Sequence, residues 1–191
     1  ITKEDSEDFS SLLVQSYEGR IIPAHRLCDQ LLRKVHRDKS FKRASESYNA
    51  VQTIVSMHMY PAFWMKQKII YVARALQSRL GLEKHVAYEN IIDAQGKFIW
   101  EKEFAKSFQK LESTRDEFDK KIIKLHEKFQ VAEKIFVGGY LKIIPLKNDP
   151  KNTWANPLSF QITRGKDSVV SRLTLNYLGS LFNVAKINNY Q

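Results

Sequence analysis

The amino-acid sequence predicts a predominantly helical α+β fold, with a long central helix and two short antiparallel β-hairpins. Three observations support this prediction. Apolar side chains recur every three or four residues through most of the chain, which is typical of helices with one buried face. Two short stretches alternate apolar and polar side chains beside turn residues, which indicates hairpins. Hydrophobic residues make up 43% of the 191-residue chain, enough to form a packed core.

The N-terminal region, residues 1–81, is expected to be a helical subdomain. Pro23 suits the first position of a helix, Pro61 separates the third helix from the fourth, and Gly81 suits the end of the fourth. Short connections between helices favour a compact arrangement. The four predicted helices cover residues 5–20, 21–39, 40–60 and 62–81.

The second region, residues 82–191, is expected to contain both hairpins and the long helix, and the two regions can also fold as one compact domain. Turn residues 93–96 predict the first hairpin. Segments 140–146 and 157–164 predict the strands of the second, and a helix is expected to follow them.

A seam of aromatic and aliphatic side chains runs from Trp100 to Phe136 at helical spacing. Ser113 and Thr114 begin capping patterns that allow a break. Because the seam keeps its phase across that point, one continuous or slightly kinked helix is the favoured interpretation. The seam is either packed inside the protein or used as a coiled-coil interface, and its many Phe residues favour internal packing.

Positive charge points to a polyanionic partner. The chain carries 31 Lys and Arg against 21 Asp and Glu, a net charge of +10. The densest cluster lies at a predicted helix end and the turn after it, where a solvated helix terminus is one interpretation and phosphate contact is the other. Its six members are Arg33, Lys34, Arg37, Lys39, Lys42 and Arg43.

The strand predicted near residue 160 has an apolar face and a polar face made of Ser159, Gln161 and Thr163. With the turn and helix expected after it, the segment 157–187 resembles ribbon-helix-helix DNA-binding proteins. The resemblance implies a ribbon, formed by one strand from each subunit of a homodimer, whose polar face reads bases in the major groove. It places Arg164 and Lys166 in the same interface. The alternative is that the strand pairs with residues 140–146 of its own chain and exposes an ordinary polar surface.

Motifs of common enzyme classes are missing from the sequence. It contains no P-loop, no glycine-rich dinucleotide turn, no HExxH and no GxSxG. We therefore expect no enzymatic activity, no cofactor and no metal site.

The single cysteine, Cys28, indicates a reducing compartment and hence an intracellular location, in the cytoplasm, nucleoid or nucleus. No apolar run approaches the ~18 residues of a membrane span.

These observations predict a non-enzymatic nucleic-acid-binding protein, with DNA favoured over RNA and a regulatory or accessory role in transcription. The six basic residues of 33–43 would hold phosphates, and Ser159, Gln161 and Thr163 would supply sequence recognition. The alternative prediction is a structural or adaptor protein that binds another protein through its aromatic helical seam.

Overall fold

Seven helices and four two-stranded antiparallel sheets form the part of the chain that the computed structural model describes, residues 1–146 and 149–156. About half of these residues (51%) are helical, which confirms the predominantly helical α+β fold class. The helices are α1 (Lys3–Ser10), α2 (Ala24–His36), α3 (Ala50–Met59), α4 (Pro61–Trp64), α5 (Arg74–Leu80), α6 (Glu101–Gln109) and α7 (Glu117–Phe136).

The sheets are small, and each is a single pair of strands. All four pairs join consecutive strands. In three of them no helix lies between the two strands, whereas helix α5 lies between β5 and β6. The strands are β1 (Leu13–Gln15), β2 (Ile21–Pro23), β3 (Ser40–Arg43), β4 (Glu46–Asn49), β5 (Ile70–Tyr71), β6 (His85–Val86), β7 (Ile144–Pro145) and β8 (Trp154–Ala155).

The core lies where helices α2, α3 and α7 meet. Helix α2 is amphipathic and buries Leu27, Leu31 and Val35, at the spacing of one helix face. Helix α3 is apolar over most of its surface and is buried over most of its length. Burial of these side chains stabilises the fold by roughly 1.5–3 kcal/mol for each large aliphatic or aromatic group.

All four helices predicted in residues 1–81 are wrong in extent. The first ends at Ser10, where the hydroxyl groups of Ser10 and Ser11 bond back to main-chain carbonyls, and strand β1 follows. The third is preceded by the β3–β4 hairpin and starts only after Asn49, which caps α3 in a capping box with Gln52. The fourth is divided into α4, β5 and α5.

Pro23 and Gly81, which were predicted to lie at helix ends, can be compared with the observed start of α2 and end of α5. Helix α2 is shorter than predicted, because strand β2 occupies Ile21–Pro23, and Pro23 lies at the capping position instead of the first helical position. Gly81 ends α5 in the left-handed conformation, with φ of +66°, as expected of a C-terminal glycine.

The continuous helix predicted from Trp100 to Phe136 is also wrong, because it is divided into α6 and α7. A 3₁₀ turn at Glu112–Thr114 lies between them, and Asp116 caps α7 through a capping box with Asp119. The local capping energy therefore outweighs the continuity of the apolar pattern. Helix α7 remains the longest element among the described residues.

The predicted hairpins differ from the observed pairing. Around residues 93–96 only an isolated bridge joins Ile92 to Phe98, and the Asp93 carboxylate closes the turn by accepting two main-chain N–H groups. Strand β7 pairs with β8, so the described partner of segment 140–146 lies at residues 154–155. The predicted strand 157–164 and the helix after it lie outside the described residues.

In residues 1–146 and 149–156, no helix combines the length and apolar character needed to cross a membrane.

Candidate functional site

The six basic residues predicted as a phosphate-binding cluster are divided among several surfaces. Arg33 and Lys34 lie on α2 and face α7, and Arg37 follows them at the end of the helix. Lys39 is exposed in the next turn. On β3, Lys42 lines a separate shallow cavity, and the Arg43 guanidinium lies over the Phe63 ring, 4.9 Å from its centre.

Three of these residues contribute to a groove of about 370 Å³ between α2, β5 and α7. We call it the cationic groove, because six of the nine side chains that line it are basic. Its lining residues are Arg33, Lys34, Arg37, Tyr71, Ala73, Lys121, Lys124, Leu125 and Lys128.

Tyr71 organises one end of the cationic groove. Its hydroxyl accepts a hydrogen bond of 2.7 Å from the Arg37 guanidinium, whose central carbon lies 4.8 Å from the ring centre. The Lys128 ammonium donates a 2.7 Å hydrogen bond to the main-chain carbonyl of Tyr71 and lies 4.4 Å from the same ring centre. Two cations are thus held beside one aromatic ring, which attracts each of them although they repel each other.

The groove is strongly positive despite one ion pair. Glu127 accepts a 2.6 Å hydrogen bond from Lys34, so these two charges offset each other. Burial, followed by the nearby charges of Arg37, Lys34 and Lys124, lowers the pKa of Lys128 to about 8. Lys128 therefore loses its proton at a lower pH than an ordinary lysine.

Most of the aromatic seam is buried inside the protein. On α7, Ile122, Leu125 and Phe129 are almost fully buried. Phe129 stacks on Tyr88, with ring centres 5.3 Å apart and planes 12° apart, and also packs against Phe98. The α7 part of the seam is therefore core and is not available to a coiled-coil partner.

The exposed part of the seam lies at the end of α6 and the turn after it. Phe108 is 58% exposed and Leu111 is 74% exposed, and we call these two side chains the apolar tip. Arg115 holds the turn in place: its guanidinium donates hydrogen bonds to the main-chain carbonyls of Ser107, Phe108 and Lys110 at 2.8–3.2 Å.

A buried carboxylate anchors the same turn to α7. Asp119 accepts hydrogen bonds from the Lys110 ammonium at 2.7 Å and from the Ser107 hydroxyl at 2.7 Å, and it also accepts the Asp116 main-chain N–H at 2.9 Å. The Lys110 and Ser107 hydrogen bonds hold the pKa of Asp119 well below its usual range. The apolar tip is thus presented on a rigid support.

Cys28, His36 and His85 are also chemically reactive side chains, and their surroundings among the described residues give no sign of a catalytic or metal site. Cys28 is fully buried, and burial raises the pKa of its thiol to about 12, so it is protonated at neutral pH. The rings of His36 and His85 lie 4.5 Å apart. Within the described part of the chain, no group of three or more His, Cys, Asp or Glu side chains is arranged to hold a metal ion.

Sequence reasoning missed most of the groove. Lys121, Lys124 and Lys128 recur at helical spacing, a pattern that indicates one shared face of a helix, but the spacing does not show which element that face packs against. Tyr71 was placed in the middle of a predicted helix. Its role depends on a strand and on contacts with α2 and α7 that are remote in sequence.

Comparison with known proteins gives a relative, although no protein-family model matches the chain. The chain is 27% identical over 158 residues to Protein NrfI of Wolinella succinogenes. The match covers 81% of this chain but only 17% of NrfI, so the chain spans about one sixth of the relative's length.

This similarity corrects the functional prediction. The prediction of a DNA-binding role in transcription regulation, with nucleic acid as the partner, is wrong, because the relative that the chain resembles is NrfI. It supports the alternative, a structural or adaptor protein. Ser159, Gln161, Thr163, Arg164 and Lys166 lie outside the described residues, as does the whole segment 157–187 that resembles ribbon-helix-helix proteins. The expected homodimer and the intracellular location stay predictions.

Proposed function

We propose that this chain is a non-enzymatic, protein-binding segment of an assembly protein that acts in the biogenesis of c-type cytochromes. The observation that carries the proposal is the similarity to NrfI, which extends over 81% of the chain. The matched region is about one sixth of NrfI, so the proposal concerns only the role of this region.

The apolar tip is the surface that best fits this role. Exposed aromatic and aliphatic side chains on a rigid support are typical of sites where a partner protein buries them. Phe108 packs on Phe104, with ring centres 5.5 Å apart, and Arg115 places its guanidinium 5.6 Å from the Phe108 ring centre. The tip therefore offers a preorganised aromatic anchor with a basic group beside it.

The experiment replaces the two tip residues in the full-length protein. A strain that lacks the protein is complemented with the wild type or with the variant Phe108→Ser/Leu111→Ser, and covalently bound haem in c-type cytochromes is measured after denaturing electrophoresis. Chemical crosslinking in the same cells measures association with partner proteins. We expect the variant to lose crosslinked partners and to lower the cytochrome yield, with an unchanged helical circular dichroism spectrum.

The matched control is Leu13→Ser/Tyr17→Ser, which also removes one leucine and one aromatic side chain that are 53% and 81% exposed. We expect the control to retain wild-type yield and crosslinks. If the tip variant matches the control in both measurements, the apolar tip is not the binding surface. If loss of the whole protein leaves the cytochrome yield unchanged, the proposed role itself is wrong.

A further inference from the structure

The cationic groove holds more positive charge than the fold requires. Arg33 and Lys34 lie in the last turn of α2, where cations offset the helix dipole. Lys121, Lys124 and Lys128 have no such explanation, because they lie before the last turn of α7, which ends at Phe136. Their positions repeat at three and four residues, so like charges share one face at a cost to the helix.

Carboxylates do not neutralise this cluster within the described part of the chain. Lys34 pairs with Glu127, but Arg33, Arg37, Lys121, Lys124 and Lys128 make no salt bridge with any carboxylate among the described residues. Five cations around one groove leave a positive potential that an anion of two or more charges would balance.

One groove residue, Arg37, has an uncommon backbone conformation. Arg37 adopts the left-handed conformation with φ of 69° at the end of α2, a position where glycine is the favoured residue. Its side chain is fixed by Tyr71 through a hydrogen bond and a cation–π contact. A guanidinium that is already held in one orientation loses little side-chain freedom when it binds an anion.

We propose that the cationic groove binds a polyvalent phosphoryl anion, with the two arginines as planar donors and the α7 lysines as point charges. Arginine matches two phosphate oxygens at once, and lysines add charge without fixed geometry. The groove, at about 370 Å³, is large enough for a diphosphate or a phosphate-bearing head group. A free anion and a lipid head group can both present such a phosphate group. The proposed binding of this group does not depend on the proposed cytochrome role.

The first test measures binding of inorganic pyrophosphate to the full-length protein by isothermal titration calorimetry at low salt and at 0.15 M salt. The groove variant is Lys121→Gln/Lys124→Gln. Its control is Lys106→Gln/Lys120→Gln, which removes the same charge from exposed positions on α6 and α7 that do not line the groove. We expect the groove variant to bind at least about tenfold more weakly, which corresponds to about 1.4 kcal/mol, because two of the positive charges around the anion are removed. The control should stay within about twofold of wild type.

The second test distinguishes the two sources of phosphate. Vesicles of phosphatidylglycerol and of phosphatidylcholine are sedimented with wild type and both variants. Sedimentation with phosphatidylglycerol that depends on Lys121 and Lys124, and that pyrophosphate reverses, assigns the groove to a lipid head group. Pyrophosphate binding without sedimentation assigns it to a free anion. Absence of both kinds of binding overturns the proposal, and so does equal weakening in the groove and control variants.

Discussion

Helices α6 and α7 carry the same apolar spacing but use it differently. On α7, the residues in phase, such as Ile122 and Phe129, are buried in the core. On α6 and the turn after it, Phe108 and Leu111 continue the pattern but remain largely exposed. Periodicity therefore shows which side chains share a face, and it does not show whether another element covers that face.

The difference follows from what surrounds each helix. Helix α7 packs against α2, α3 and α5, whereas α6 packs mainly against α7. The break between the helices lets α6 pack against α7, and Phe108 near the end of α6 remains exposed. Among the described residues no element covers Phe108 and Leu111, whereas the apolar face of α7 is buried in the core.

The sharpest test of the comparison is a matched pair of Phe→Ala substitutions. Phe129→Ala opens a cavity beside Tyr88 and Phe98, and we expect the free energy of unfolding to fall by about 3–5 kcal/mol. Phe108→Ala removes an exposed ring and should cost less than about 1 kcal/mol. Urea unfolding followed by circular dichroism measures both. Equal losses would mean that the α6 face is part of the core.

A second pair compares the glycine after α7 with the glycine before α6. Both have positive φ, +67° at Gly138 and +77° at Gly96. A Cβ at Gly138 would clash with the His58 ring, whereas at Gly96 it would meet no atom within 4 Å. We expect Gly138→Ala to cost roughly 3 kcal/mol from strain and crowding together, and Gly96→Ala about 1–2 kcal/mol from strain alone. Thermal unfolding checks the order, and a Gly96→Ala loss as large as that of Gly138→Ala would contradict it.

The fold class was predictable from the sequence, but several element boundaries were not. Helical spacing and turn residues were sufficient to predict a mainly helical α+β protein. The break before α7 depends on the Asp116–Asp119 capping box, a local interaction that competes with a pattern extending over the whole seam. Strand β5 is two residues long and depends on pairing with β6 across α5, which no local pattern indicates.

The candidate site was predictable only in part. Arg33, Lys34 and Arg37 were visible as a basic run, but the same run also contains Lys42 and Arg43, which the β3 strand places elsewhere. The α7 lysines join the groove only because α2 and α7 pack side by side. Likewise, the exposure of Phe108 depends on the break in the seam and on the absence of a covering element among the described residues.

A third prediction concerns the junction that joins the two helices. Because the pKa of Asp119 is lowered in the folded protein, its contribution to stability is present above the ordinary pKa of 3.8 and is lost as the pH falls below it. Asp119→Asn removes the charge that Lys110 and Ser107 contact. We expect the variant to be less stable than wild type at pH 6, with the difference decreasing between pH 4 and pH 2. Urea unfolding across this range checks it, and a difference that does not vary with pH would contradict it.

The smallest expected effect concerns the groove face of α7. The charged groups around Lys128 are Arg37 and Lys34 on α2, Lys124 and Glu127 on α7, and His85 on β6 when protonated. Because the folded pKa of Lys128 is about 8 and its ordinary value is 10.5, the unfolded chain binds more protons between these values. The stability of the wild type should therefore rise, relative to Lys128→Met, as the pH increases from 7 to 9.5.

An anion in the cationic groove is expected to change the pKa of Lys128. A phosphoryl anion in the groove favours the protonated amine, so it should raise the pKa of Lys128 and remove most of the pH-dependent difference between wild type and Lys128→Met. Urea unfolding at pH 7 and pH 9.5, with and without pyrophosphate, measures both effects. If the pH-dependent difference in stability between wild type and Lys128→Met stays unchanged in saturating pyrophosphate, the anion does not approach Lys128. Loss of the difference in pyrophosphate would place the anion beside Lys128, on the charged face of the helix whose opposite face forms the core.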